Sequence, residues 1–254
     1  MEKTSGSWSP IYIVVILFFI LTLFMYQQTV LYLNSIWSNI STGEYAHGYL
    51  VVAISAYLLY INRNQLKVTR PSPSYAVLPL LFGAVMLWLA AVIVDVEVAQ
   101  AFALLLIIFT FTWALLGHKA MKLLAFPILF VGFAIPIWFP LSPLLQELSA
   151  DVVFWVARLI NMPAFREGSM ITIPSGAFSI EEACSGLRYL LAALTLGSLY
   201  AYLNYSGTMA RIGVVFIAAA AAILSNMIRV FLIVYMGYVL SLIHISEPTR
   251  QVLV

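Results

Sequence analysis

Apolar runs about twenty residues long recur along this chain, and charge is scarce within each. No other feature constrains the fold as strongly. A helix of that length satisfies its own backbone hydrogen bonds and crosses the roughly 30 Å hydrocarbon core of a bilayer. Candidate spans lie at 11–33, 47–61, 75–94, 98–116, 121–139, 184–203 and 210–236. Seven spans leave little of a 254-residue chain for a water-soluble domain. Composition agrees. Charged residues make up 9% and hydrophobic residues 63%, against roughly 25% charged in an ordinary soluble domain. These figures exclude a soluble globular domain and a disordered chain. A net charge of +2 offers no basic footprint for a phosphate backbone, so nucleic acid is not an expected partner. The expected fold is an all-α integral membrane protein, a polytopic helical bundle with about seven spanning helices.

Lys and Arg set the expected orientation. Lys3 precedes the first span. Arg63, Lys67 and Arg70 follow the second, Lys119 and Lys122 separate the fourth and fifth, and Arg211 lies in the 204–211 connection. The 34–46 loop and the Asp95–Glu97 turn hold neither Lys nor Arg. The alternation puts the N-terminus and the basic loops inside. The start of the chain has no small-residue cleavage site before a polar segment, so the first span reads as an anchor.

Segment 140–183 then falls outside. Leu144–Ile160 has an apolar stripe broken by Gln146, Glu147, Asp151 and Arg158, the pattern of an amphipathic helix at an interface. Ser169–Ile180 is rich in β-branched residues around Pro174-Ser175-Gly176 and reads as a short hairpin or a pair of extended strands. Such a segment cannot face lipid. It leads directly to Cys184.

Cys184 is the one cysteine, so no intrachain disulfide is possible. It sits in Glu181-Glu182-Ala183-Cys184-Ser185-Gly186-Leu187-Arg188, at the outer mouth of the sixth span. Cys184 and Arg188 are four apart and share a face if both are helical. A guanidinium near the thiol favours the nucleophilic thiolate, and a place in the first helical turn favours it further. The plainer alternative makes Cys184 a packing residue and Arg188 an interfacial anchor.

Ser225-Asn226-Met227-Ile228-Arg229 lies inside the last apolar span, where a charge is costly and marks an inward, functional position. Arg211 to Arg229 is about 27 Å of helix, and Cys184 to Asn204 about 30 Å. Antiparallel helices therefore return Arg229 to the depth of Cys184. Asn226, three residues earlier, can point the same way. Arg229 can hold an oxyanion but cannot act as a base. The structural alternative pairs it with Glu181, Glu182 or a helix end. Of the histidines, His118 falls inside, while His47, in Tyr45-Ala46-His47-Gly48-Tyr49, falls outside as either an interfacial or a site residue. No metal-ligand spacing and no Gly-rich phosphate loop occurs in the sequence, so no metal or cofactor is expected.

Three stretches resemble the exosortase/archaeosortase family of membrane cysteine transpeptidases: Tyr45–Leu66, the EEACSGLR motif at Glu181–Arg188 with its strand-like lead-in, and Asn226-x-x-Arg229. The likeness runs from about Tyr45 to Tyr238. It implies an enzyme of the bacterial inner membrane with its site on the periplasmic side. It implies substrates that are exported proteins carrying a Pro-Glu-Pro-type (PEP-CTERM) motif, one spanning helix and a basic tail at the C-terminus. Such a signal would be cut through an acyl-thioester. The resemblance makes Cys184 the nucleophile and Arg229 the catalytic arginine. The reading of the residues themselves adds Arg188, Asn226, Glu182 and His47 as supporting candidates. A histidine downstream of the arginine helix is the third family residue.

His244 stands near that place, but inside the string LSLIHISEPTR at Leu240–Arg250. That string matches the in-frame translation of a transposon-based sequencing adapter. The expectation is a C-terminally truncated membrane domain over 1–239 and an adapter-derived tail over 240–254, with His244 an artefact. Two other readings stay open: a transporter or channel with Arg188 and Arg229 lining an anion path, and a catalytically incomplete fragment that still binds a substrate helix.

Overall fold

The computed structural model describes residues 9–39, 44–69, 71–174, 176–180 and 184–246. Lys3, Arg70, Ser175, Glu181, Glu182 and the tail 247–254 lie outside the described residues. The chain divides into two units, Met1–Ile137 and Trp138–Val254.

The first unit is helical throughout: α1 (Ser9–Met25), α2 (Gln27–Ser38), α3 (Gly48–Val68), a 3-10 turn at Tyr75–Val77, α4 (Leu78–Ile93), α5 (Glu97–Phe130) and a second 3-10 turn at Val131–Ala134. α5 covers the ground expected for two spans, and it breaks at Gly117, whose backbone is non-helical (φ 81°, ψ 177°). That positive φ suits only glycine, and a Cβ there would collide with the carbonyl oxygen of Ser72. The break frees carbonyls that the segment after α3 uses. The Ser72 N–H donates to Leu116 O at 3.3 Å, and the Ser74 N–H to Ala114 O at 2.9 Å. Pro71 and Pro73, which have no N–H, alternate with these two donors.

A second repair sits further along α5. Pro127 lies inside the helix and cannot donate to Leu123 O, one turn earlier. Asn62 of α3 does so instead, its Nδ2 lying 3.2 Å from that oxygen. Ser55, buried on the same face of α3, donates to Pro127 O at 2.7 Å. Two polar residues of α3 thus serve the backbone that a proline disturbs, and this locks α3 against α5.

The second unit contains α6 (Leu141–Leu159), a three-stranded antiparallel sheet of β1 (Phe165–Glu167), β2 (Met170–Ile173) and β3 (Gly176–Ser179), then α7 (Leu187–Asn204) and α8 (Thr208–Ser246). β2 and β3 occupy the segment expected to be extended. β1 adds a strand that three residues of sequence were too short to signal. Register pairs Ile171 with Phe178 and Arg166 with Ile171. α6 carries Asp151 in an ion pair with Arg166 of β1, and Arg166 Nε also donates to Gly168 O at 2.7 Å. α6, the sheet and α8 share one core, in which Ala150, Val153, Ala157, Ile171, Ile173, Ile180, Val230 and Val234 are buried. α7 and α8 are joined at 205–207. Arg211 closes that joint by donating to Tyr205 O at 2.7 Å and Tyr202 O at 3.4 Å, so it sits in the first turn of α8 and caps the end of α7.

The protein is a mostly helical membrane protein. Among the described residues three helices are long and apolar enough to cross a bilayer: Tyr75–Ile93, Glu97–Ala134 and Thr208–Leu240. A fourth span results if Leu17–Met25 and Gln27–Ser38, bent by 79°, count as one. The expected seven differ for local reasons. α5 carries two expected spans in one broken helix. α3 ends in Asn62-Arg63-Asn64-Gln65-Leu66-Lys67, and α7 holds Arg188, three tyrosines and Asn204, which lower their apolarity.

Candidate active site

Cys184 is partly exposed and packs at the margin of the core shared by α6, the sheet and α8. It is not on the same helix as Arg188. Gly186 stands between them in the left-handed region, with φ 88° and ψ 1°, and α7 begins only at Leu187. The condition for a helical face shared by Cys184 and Arg188, and for a place of the cysteine in the first turn of α7, is therefore not met. A left-handed residue reverses the course of the chain, so an i, i+4 spacing across it no longer implies a shared face.

The turn itself is held from two directions. Ser185, 2% exposed, accepts a hydrogen bond from the Leu187 N–H at 3.3 Å and ties the turn to α7. Asn226 of α8 donates from Nδ2 to the Cys184 carbonyl oxygen at 3.0 Å. The same amide abuts Gly186, where a Cβ would come 2.6 Å from Nδ2 and 2.7 Å from Cγ. Gly186 is thus required twice, for its backbone angle and for the absence of a side chain. Asn226 is 3% exposed, and its Oδ1 is buried with no hydrogen-bond partner among the described residues.

Arg229 lies one turn beyond Asn226 on α8. Its guanidinium sits 5.4 Å from the ring centroid of Tyr189 on α7, a cation–π contact. Arg229 is exposed, as is Arg188. Counting helical rise from Arg211 leads to the same level, because the 226–229 turn adjoins the cysteine turn. Glu182 is outside the described residues, so its part is not seen. His244 falls in the last turns of α8. His118 lies on α5 just after the break at Gly117.

His47 belongs to the other unit, immediately before α3. Its Nε2 donates to Phe133 O at 3.2 Å, and the neighbouring Trp37 Nε1 donates to Ala134 O at 2.8 Å. Both bonds end on the 3-10 turn that closes α5. The sequence motif around His47 therefore has a packing role that its residue types alone did not reveal. The sequence points to Asn226 but not to its bond with the Cys184 carbonyl. The signal for it was an amide buried in an otherwise apolar run.

The chain is thus a helical membrane protein whose one cysteine is bonded through its carbonyl to a helix that bears an arginine. The sequence profile of the transmembrane exosortases (Exosortase_EpsH) matches residues 37–246, most of the chain. The chain belongs to that family. No match is found among curated proteins or among solved structures.

Proposed function

We propose that the chain is a cysteine protease or transpeptidase that removes the C-terminal sorting signal of exported proteins, with Cys184 as nucleophile. The observation that carries this reading is the Asn226–Cys184 hydrogen bond. It brings the cysteine turn beside the helix that bears Arg229, in a family whose members are sorting transpeptidases. The Cys184 thiolate attacks the scissile carbonyl, and its electron pair moves onto oxygen. The Arg229 guanidinium stabilises that oxyanion. Collapse breaks the C–N bond, the amine leaves with a proton delivered by a histidine, and an acyl-thioester remains on Cys184. A water or acceptor nucleophile then attacks the thioester and releases the thiolate. His47 and His244 are the histidines that the charge pattern allows on the outer side, but His47 is tied to Phe133 O and His244 stands in the adapter-like string, so this proton is assigned to neither.

In this reading the bundle has about seven spans in the bacterial inner membrane, with the site on the periplasmic side. The substrates carry a Pro-Glu-Pro-type motif, a spanning helix and a basic tail. Residues 1–239 form the membrane domain, and 240–254 are the adapter-like tail. The test is co-expression with a tagged protein bearing such a signal. Cys184→Ala should leave the signal uncut. Unchanged processing by that variant would remove the proposed role.

A further inference from the structure

Resting on that reading of Cys184, we infer that Asn226 is a positioning residue, which fixes the direction of the cysteine thiol relative to Arg229 through the Cys184 carbonyl. Three observations carry it. Nδ2 donates to Cys184 O at 3.0 Å across 42 residues of sequence. The amide occupies the space that Gly186 leaves open, so a side chain at 186 would collide with it. Oδ1 is buried and has no partner among the described residues.

The third observation argues against a purely structural purpose. An amide buried in an apolar helix costs desolvation, and half of this one is uncompensated. A leucine at position 226 would be cheaper to bury. The gain lies in geometry instead. Asn226 and Arg229 are one helical turn apart on a continuous stretch of α8. A rigid helix that grips the Cys184 peptide therefore fixes the cysteine backbone relative to the backbone that carries Arg229. The left-handed Gly186 lets the chain leave that grip at once and start α7.

The experiment uses the full chain with the tagged Pro-Glu-Pro-type substrate, comparing Asn226→Ala and Asn226→Asp with wild type and with Cys184→Ala. Asn226→Asp keeps the shape and replaces the donor, so it separates the hydrogen bond from the packing. Processing kcat should fall about 100-fold in both variants while KM stays within about twofold, the pattern of misplaced reacting groups. The rate at which N-ethylmaleimide alkylates Cys184 should change severalfold in both, with the detergent melting temperature of Asn226→Asp close to wild type. Wild-type kcat and alkylation in Asn226→Asp would overturn the inference and leave the role of Cys184 standing. Losses that simply follow the folded fraction in both variants would also overturn it, because the amide would then be structural. Full processing by Cys184→Ala would bring down the underlying reading as well.

Discussion

The turn before α3 and the turn before α7 are built alike and end differently. Each places a large side chain on a glycine that no other residue can replace without a clash: the Trp37 ring on Gly48, and the Asn226 amide on Gly186. In the first, the polar arms of Trp37 and His47 end on the carbonyls of Ala134 and Phe133. In the second, Asn226 keeps a buried oxygen with no partner among the described residues, and the adjoining cysteine is partly exposed. The first arrangement secures a helix end. The second leaves a buried polar atom uncompensated beside the thiol proposed as the nucleophile.

Changes at the cysteine turn should therefore act on catalysis, and changes at the α3 turn on stability. The largest effect is expected from Arg229→Lys. It keeps the charge and loses the planar fork, so kcat for signal removal should fall by roughly 100-fold or more, measured against a wild type of equal expression. An active Arg229→Lys would break the comparison, since the second turn would then hold no oxyanion group.

Gly186→Ala comes next. A left-handed alanine costs about 1–2 kcal/mol before the clash with Asn226 is counted. The melting temperature and the processing rate should both drop, and a variant with wild-type melting would show that the turn relaxes freely. His47→Gln should cost about 1 kcal/mol through its bond to Phe133 O and leave kcat unchanged. A kcat loss of 100-fold or more with an altered pH profile would instead make His47 the proton carrier and erase the contrast. Last, His244→Ala should change neither quantity. Long-read sequencing of the 3′ end of the gene from source DNA should show the frame departing from LSLIHISEPTR after Val239. A confirmed genomic string together with an inactive His244→Ala would turn that expectation round.

Much of this was legible in residue order. Run length and scarcity of charge define a helical membrane protein, because the cost of burying backbone in lipid is paid segment by segment. Residue chemistry also marked Cys184, Asn226 and Arg229, since a thiol, an amide and a guanidinium stand out in apolar surroundings. Helical rise alone matched the 226–229 turn to the level of the cysteine, because 1.5 Å per residue holds in any straight helix.

Other features were decided only when distant segments met. The helical run from Cys184 to Arg188 is interrupted by one backbone angle at Gly186, against which the Asn226 amide, 40 residues on, packs. The break at Gly117 answers to Ser72, and the proline in α5 is tolerated because Asn62 supplies the missing donor. Sequence by itself determined the class of protein, its family and the reactive residue types, since these follow from local hydrophobicity and side-chain chemistry. The tertiary structure decided which of those residues touch, because a glycine's φ or a buried amide's partner depends on atoms that the chain brings together only by folding.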